Sequence, residues 1–384
     1  MNSNTTVVPA SLQPVMTKPQ RSGVNLMDAF RQWRSRPADQ RFQTLGALME
    51  ALNNRRLKSR SEVVSLPSLT VEPNETQNTL HLVSPGAMMD TTHWSFGQLC
   101  QRIGAPAGYM RDLPVALAAD NLNYSMKKAE AKKVRLLTVV DDHGAMLADN
   151  LQAVTSETYG RIWDYDVVQA VQRIVDRSGG KFFNPKEWDG TPGGLYASDH
   201  DVFCFMIDGG SWVDGGGDRD QLHRGFFIWN SETGAKSFGI KTFLHRGVCG
   251  NHIVYDADEV CQLIIRHSLN APGRFDREAL PKLIDYVNAS SKPLEDKIRK
   301  AKAYALPMED GEKGADALIP FGLKTGFTRP EIRGAYAAAV EEEGQCAHLW
   351  DFINGLTAYA RGYEFIDSRV DLESRAGKLM EMVA

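Results

Sequence analysis

The chain has 384 residues, 42% of them hydrophobic and 24% charged, and its formal net charge is −4. These are the proportions of a globular protein with room for two or three domains. No apolar run approaches the roughly 20 residues that a membrane span needs, and the first 20 residues lack the pattern of a signal peptide. The five cysteines are scattered without a C-x-x-C pair. Together these features predict a cytoplasmic protein with reduced thiols.

The modest net charge conceals an asymmetry along the chain. Residues 1–60 contain ten basic and three acidic side chains, a net charge of about +7, so the remainder carries about −11. We divide the sequence accordingly into three predicted regions. They are a flexible tail with a basic helical arm (1–60), an α+β core domain (61–256) and a helical C-terminal region packed on the core (257–384).

The first half of the chain mixes helical and strand patterns. An apolar periodicity from Leu26 to Leu52, broken at Pro37, predicts the helical arm. A helix is predicted over Ser95–Ile103, with Ser95 as N-cap and Gly104 as its end. Further predicted elements are strands at Val63–Leu66, Thr79–Val83, Val134–Val140 and Leu151–Thr155, and an amphipathic helix at Asp164–Val175.

The second half begins with strands and ends with helices. Val202–Ile207, Phe226–Trp229 and Phe238–Lys241 are rich in aromatic and β-branched residues, which predicts neighbouring strands. Helices are predicted at Leu280–Ala303 and from Arg329 to Met382. Because strand blocks precede helix blocks, the predicted fold is α+β, a mainly antiparallel sheet flanked by helices.

The Phe226–Trp229 strand offers the first candidate binding surface. Alternation sends Phe227 and Trp229 to one face of the sheet. If that face is open, bases can stack on the two rings, and Arg224, Lys241 and Arg246 are candidate phosphate contacts. The alternative is that both faces of the sheet are buried.

Two basic clusters are the second candidate. Each alone is typical of a solvated protein face, but two on an acidic protein favour contacts with phosphates. Their residues are Arg55, Arg56, Lys58 and Arg60 in the arm, and Lys127, Lys128, Lys132 and Lys133 in the core.

Metal sites are weakly indicated. His245, Cys249 and His252 carry ligand types that Zn²⁺ accepts, but Gly247 and Gly250 oppose a regular helix there, so no metal or other cofactor is predicted. The segment Asp208–Asp220 resembles a single copy of a calcium-binding glycine repeat. Because such sites need stacked repeats, a mobile loop is predicted instead.

Several stretches together resemble a phage/plasmid-like family of domains of unknown function. The most specific is Arg-Gly-Phe-Phe-Ile-Trp-Asn-Ser-Glu-Thr-Gly at 224–234. The others are Phe96–Cys100 with Ile103–Pro106, Leu113-Pro114 and Asn121–Asn123, and then Ala153–Ile162, Leu195–Phe203, Cys249–Val254, Asn354–Arg361 and Asp367–Arg369. The resemblance covers roughly residues 95–380. It implies a mobile-element setting, supplies no catalytic residues, and does not include the basic arm.

These observations favour a nucleic-acid-binding protein of a phage or plasmid. The expected partner is single-stranded DNA, bound with little sequence specificity in replication, recombination or transcription, and a replication or transcription protein is a second candidate partner. Phosphate-loop and hydrolase motifs are absent from the sequence, so an enzyme is the less favoured class. The alternatives are a metal-dependent nucleic-acid-modifying enzyme and a host-interaction protein that binds no nucleic acid.

Overall fold

A computed structural model describes residues 40–129, 132–140, 149–184, 193–214, 221–246, 252–254, 263–288, 292–307, 314–363 and 366–383. Helices and two mainly antiparallel sheets confirm the α+β class. The helices are α1 (Leu45–Lys58), α2 (His93–Ile103), α3 (Ala107–Asp112), α4 (Val115–Lys128), α5 (Asp164–Arg177), α6 (Ala271–Arg274), α7 (Leu280–Asn288), α8 (Lys292–Ala303), α9 (Ile319–Lys324), α10 (Arg329–Glu343), α11 (Leu349–Ala360) and α12 (Ile366–Lys378).

The strands fall into two groups. The first sheet contains β1 (Ser59–Ser65), β2 (Thr70–Asn74), β3 (Thr79–Ser84), β4 (Ala87–Thr91), β5 (Lys133–Val139) and β6 (Asp149–Ser156). The second contains β7 (Phe182–Phe183), β8 (Leu195–Ala197), β9 (Val202–Asp214), β10 (Gln221–Asn230), β11 (Phe238–Arg246), β12 (His252–Val254) and β13 (Leu263–Ile265).

The first sheet has the order β1-β5-β6-β4-β3-β2, and β4 and β6 pair in parallel. Alternate residues of β3, such as Leu80 and Leu82, are buried while their neighbours are half-exposed, as expected for a sheet with one covered face. Helices α2 and α4 supply that cover, and Leu99 and Leu122 are completely buried against it. The predicted boundary at residues 60 and 61 lies within β1.

Helix α2 begins two residues before its predicted start. Thr92 is the N-cap, and Ser95 is the third helical residue of a reciprocal capping pair with Thr92. The predicted role of Ser95 as N-cap is therefore wrong, because Thr92 and Ser95 each bond the other's backbone N–H. Gly104 ends the helix as predicted, since its φ of 74° is a conformation that glycine adopts without strain.

The second sheet is built on β9, β10 and β11, which pair antiparallel as predicted. Phe226 and Ile228 face a hydrophobic cluster formed with α1, α5 and α7. On this side of the sheet α5 buries Val167 and Val171. The turn after β10 therefore comes close to the beginning of α5, an arrangement that matters for the site described below.

The predicted mobile loop at Asp208–Asp220 is wrong for its first half. Residues 208–214 belong to β9, which runs to Asp214 and pairs with β10 as far as Gln221. A register shift between His223 and Gly225 accommodates the glycines on the opposite strand. Residues 215–220 lie outside the described residues.

The C-terminal helices form a third hydrophobic cluster around α10 and α11. Thr328 and Glu331 cap the first turn of α10, and Arg375 of α12 donates to Glu331 at 2.7 Å. Burial alone would raise the pKa of Glu331, but the bonds from Arg375 and Thr328 hold it at about 2. The predicted helix at 280–303 consists of α7 and α8, with residues 289–291 not described. In the part of the chain that the structure describes, no helix has the length and apolar character needed to cross a membrane.

Candidate functional site

The aromatic face of the second sheet is buried. Phe227 is 2% exposed, and its ring stacks between Phe205 and Trp229 with centroids 5.1 Å away on each side. Strand register explains the cluster, because Phe205 of β9 lies directly opposite Phe227 of β10. The predicted open stacking surface is therefore wrong for Phe227, which has no ring face left for a base.

Trp229 also serves the packing of the sheet. It is directly opposite Gly239 in β11, and a Cβ at that position would collide with its indole ring. The ring therefore covers a backbone that has no side chain of its own. Cross-strand aromatic contacts of this kind stabilise sheets, so packing accounts for Trp229 without a ligand.

We expect Phe227→Leu to lower the free energy of unfolding by about 1–3 kcal/mol, because it removes a ring from a filled cluster. Denaturant unfolding of the parent and the variant measures the difference. Affinity for oligonucleotides should stay the same. A variant of unchanged stability that binds nucleic acid more weakly would restore Phe227 as a stacking residue.

The strand cations predicted to contact phosphate already have protein partners. Arg224 is 7% exposed, donates to the carbonyl oxygen of Tyr286 at 2.8 Å and lies over its ring. The Nζ atom of Lys241 lies 2.9 Å from the Ser374 hydroxyl and links β11 to α12. Both predicted roles are therefore replaced by structural ones. The side chain of Arg246 lies outside the described residues.

The two arginines at the end of α1 face different surroundings. Arg55 continues the buried stripe of Leu45, Leu48 and Leu52 and therefore points inward. It donates to Asp164 at 2.7 Å and to the carbonyl oxygen of Ser198 at 2.6 Å. The predicted phosphate contact is wrong for Arg55, because helical periodicity places it on the core face.

Arg56 lies at the surface and pairs with Asp166, and its guanidinium lies 5.4 Å from the centroid of the Trp163 ring. The carboxylate competes directly with a phosphate for this guanidinium. Lys58 and Arg60 are exposed at the junction of α1 and β1. The basic cluster at 55–60 is therefore not a row of solvent-facing cations, and residues 1–39 of the predicted arm lie outside the described residues.

The turn after β10 is the centre of a buried polar network. Asn230, Ser231, Glu232 and Thr233 are each at most 4% exposed. Asn230 donates to Asp164 at 2.7 Å, while a Glu232 carboxylate oxygen accepts the backbone N–H of Asp164 at 2.8 Å. Buried polar groups need such partners. The sequence motif at 230–233 thus fastens the second sheet to the start of α5.

Two carboxylates and two guanidiniums meet in this network. Burial raises the pKa of Asp164 and the neighbouring Glu232 adds to the effect, whereas Arg55 opposes it. Arg161 is 8% exposed and donates to the backbone oxygen of Glu232. Its pKa is lowered by burial, and its guanidinium lies over the ring of Tyr159. The hydrogen bonds and ion pairs of this network stabilise the fold. Because the network is shielded from solvent, it offers no open pair of groups for catalysis.

His267 stacks on Tyr159 beside this network, with ring centroids 4.9 Å apart. Its Nδ1 lies 3.1 Å from the carbonyl oxygen of Gly160. Since that oxygen can only accept, Nδ1 carries the proton, and Nε2 is buried without a partner. Burial, followed by Arg161, lowers the pKa of His267 from 6.5 to about 4, so the ring is neutral near pH 7.

We expect the stability of the protein to fall as the pH drops from about 6.5 to about 4, because the unfolded His267 gains a proton first. The decrease in the free energy of unfolding that His267 causes is up to about 3 kcal/mol. His267→Asn keeps a donor for Gly160 and should flatten that part of the stability profile. Chemical denaturation at several pH values measures it; parallel profiles for parent and variant would remove His267 as the cause.

The second predicted cluster has a different environment. Lys127 and Lys128 end α4, Lys132 precedes β5 and Lys133 begins it, and all four side chains are exposed. The backbone N–H of Lys132 bonds to the carbonyl oxygen of Ala129, which keeps the helix end and the strand start together. Within the described residues no carboxylate pairs with any of these four side chains.

An exposed aromatic ring completes this area. Tyr124 is 61% exposed, and the Lys128 ammonium lies 4.4 Å from its ring centroid. The spacing of four residues on α4 brings the two together. We call the area formed by Tyr124, Lys127, Lys128, Lys132 and Lys133 the α4–β5 basic surface. Sequence reasoning identified its lysines but missed Tyr124, whose helical spacing from Lys128 was a usable signal.

Among the described residues, no group of three or more His, Cys, Asp or Glu side chains is placed to hold a metal ion. His245 and His252 lie opposite each other in the register of β11 and β12. Their side chains, and all of Cys249, lie outside the described residues.

No family model, no curated protein and no solved structure matches the chain.

Proposed function

We propose that the protein binds single-stranded nucleic acid, with little sequence specificity, through the α4–β5 basic surface. The observation that carries this proposal is four exposed lysines without carboxylate partners among the described residues, beside an open tyrosine ring. By contrast, Arg299 is paired with Asp296 and Arg333 with Asp316. The lysines of the basic surface are therefore better candidates for an external anion than these two exposed arginines.

The chemistry of the surface favours a single strand. Lysine ammonium groups attract phosphates at any position along a backbone and carry no sequence information. Stacking on a tyrosine needs an accessible base face, which a duplex hides, and every base has one. A positive area with an aromatic ring therefore combines the two features of non-specific single-strand binding.

The biological setting of the proposal comes from the sequence resemblance alone. It supports a phage or plasmid protein that acts on DNA in the cytoplasm of a host cell, in replication, recombination or transcription. Binding to DNA by an acidic protein requires a local basic area, which the α4–β5 basic surface supplies.

The test is direct binding of the full chain to oligonucleotides. Labelled single-stranded DNA, single-stranded RNA and duplex DNA of equal length are titrated at low and near-physiological salt. We expect tighter binding to single strands and an affinity that falls steeply with salt. Absence of binding at low salt would overturn the proposal and favour the alternative hypothesis of a host-interaction protein that binds no nucleic acid.

We expect Tyr124→Ala to weaken single-strand binding by about 1–3 kcal/mol without changing the salt slope, because stacking releases no counterions. Tyr109→Ala is the matched control, since Tyr109 is 59% exposed but belongs to α3. Fluorescence anisotropy at several salt concentrations gives both quantities. Equal effects of the two variants would exclude a stacking role for Tyr124.

A further inference from the structure

A cleft of about 420 Å³ lies between α2, α3 and the turn that follows β10. Its walls include Trp94, Gln98, Arg102, Arg111 and Tyr159. The volume is within the range of small-molecule sites. The cleft lies beside Thr155 of β6 and uses none of the residues of the α4–β5 basic surface.

Strand geometry explains why a cleft forms here. Strand β4 pairs with β6 only from residues 149 to 151, so β6 continues beyond its neighbour. Gln98 of α2 accepts the Val154 N–H, which lies beyond the pairing with β4, at 2.8 Å, and the Arg102 side chain approaches the Val154 carbonyl oxygen at 3.5 Å. Side chains from a helix thus replace a missing strand and leave a gap beside them.

The opposite wall is fixed by the buried turn. Trp94 and Gln98 both donate to the backbone oxygen of Thr233, at 3.1 and 2.7 Å. Gly234 follows with a φ of +84° and brings the chain close to Tyr159. Since the turn is anchored by the polar network described above, this wall is preorganised.

The charge of the cleft is positive. Arg102 and Arg111 line it, and no Asp or Glu is among the described residues of its walls. Arg111 donates to the carbonyl oxygen of His93 at 2.9 Å, while its buried Nε has no hydrogen-bond partner. Neither guanidinium pairs with a carboxylate in the described part of the chain. Two half-buried, uncompensated guanidiniums are an arrangement that an anion stabilises.

We propose that this cleft binds a phosphomonoester, with the phosphate held by Arg102 and Arg111. The guanidinium fork matches phosphate oxygens, and two forks suit a doubly charged group. Trp94, Gln98 and Gln101 also line the cleft, and its volume leaves room for an organic part beside the phosphate. A free nucleotide and the 5′-phosphate of a strand share this chemistry.

The test uses the full chain labelled with ¹⁵N, in which Trp94→Phe identifies the indole resonance of Trp94. Inorganic phosphate and a nucleoside 5′-monophosphate are titrated in turn. We expect the Trp94 resonance to shift saturably with both, and more tightly with the monophosphate. An unshifted resonance, or equal binding of acetate and phosphate, would overturn the proposal.

Variants locate the site. Arg102→Gln with Arg111→Gln should weaken phosphomonoester binding at least about tenfold, whereas Arg173→Gln with Arg177→Gln, two exposed arginines of α5, should not. Equal weakening by both pairs of substitutions would contradict the assignment.

Oligonucleotides distinguish the two sources of the phosphate. Tighter binding of a 5′-phosphorylated than of a 5′-hydroxyl oligonucleotide, with this difference lost in the Arg102→Gln, Arg111→Gln variant, would identify the end of a strand as the ligand. Binding of the monophosphate alone would identify a free nucleotide.

Phosphomonoester binding in the cleft and single-strand binding on the α4–β5 basic surface can be tested independently. Replacing the four lysines of the α4–β5 basic surface should leave binding of the monophosphate unchanged. The double glutamine variant should in turn bind a 5′-hydroxyl oligonucleotide like the parent. Loss of both activities in either variant would contradict two separate sites.

Discussion

Replacing Arg55 with Ala is expected to lower the free energy of unfolding by about 3–5 kcal/mol, because it leaves buried carboxylates without their cation. Asp164 is 1% exposed and Glu232 4% exposed. Arg55 lies 2.7 Å from a carboxylate oxygen of the first and 3.7 Å from one of the second. Urea unfolding followed by circular dichroism measures the loss.

Arg56→Ala is the matched control for this change. Arg56 is the next residue of the same helix and also pairs with an aspartate, Asp166. Both side chains of this pair are about one-third exposed. Surface pairs of this kind contribute about 0–1 kcal/mol. Equal losses in the two variants would contradict a special role for the buried network.

A conservative variant covers the case in which Arg55→Ala does not fold. Arg55→Lys keeps the charge but loses the planar fork that reaches both Asp164 and the Ser198 carbonyl oxygen. We expect an intermediate stability. A double-mutant cycle with Asp164→Asn should give a coupling energy of about 0.5–3 kcal/mol, and additive effects would show that the two side chains do not interact.

Replacing Lys127, Lys128, Lys132 and Lys133 with Ala is expected to weaken single-strand binding at low salt at least about a hundredfold. Each phosphate contact contributes about 0.7 to the slope of log affinity against log salt on single strands. The slope should therefore become shallower by up to about 3. Because all four side chains are exposed, unfolding should be unaffected. Anisotropy titrations over a range of salt give the affinity and the slope.

The control for this variant removes the same charge elsewhere. Arg277, Lys300, Lys324 and Arg329 are exposed basic residues of the C-terminal half. Changing them to Ala alters the net charge equally. We expect a small loss of affinity from the weaker long-range field and little change of slope. If both quadruple variants lost affinity and slope alike, net charge and not the α4–β5 basic surface would govern binding.

Local patterns predicted the secondary structure well. Alternation and β-branched residues indicated β9, β10 and β11, and the pairing of β10 with β11 followed from the short turn between them. Gly104 ended α2 at the expected residue. These features depend on backbone sterics and on neighbours a few residues away, which a sequence displays directly.

The candidate site depended on contacts that a sequence does not display. Phe227 and Arg55 had the residue types of nucleic-acid ligands, yet Phe205 buries the first and Asp164 neutralises the second. Arg55 and Asp164 are 109 residues apart in the chain. Only the folded chain shows which cations are already paired with a carboxylate. Arg55 is paired with Asp164, whereas Lys127 has no carboxylate partner among the described residues.

Periodicity and turn residues act locally, so they were enough to predict the α+β class, the strands of the second sheet and the positions of the basic clusters. Three features emerged only from the folded chain: the aromatic face is closed, the turn at 230–233 is a buried anchor, and Arg102 and Arg111 line one cleft. Each of these outcomes depends on burial and on partners from distant segments. The free energy of an ionised or aromatic side chain is set by the solvent it loses and the partners it gains when the chain folds.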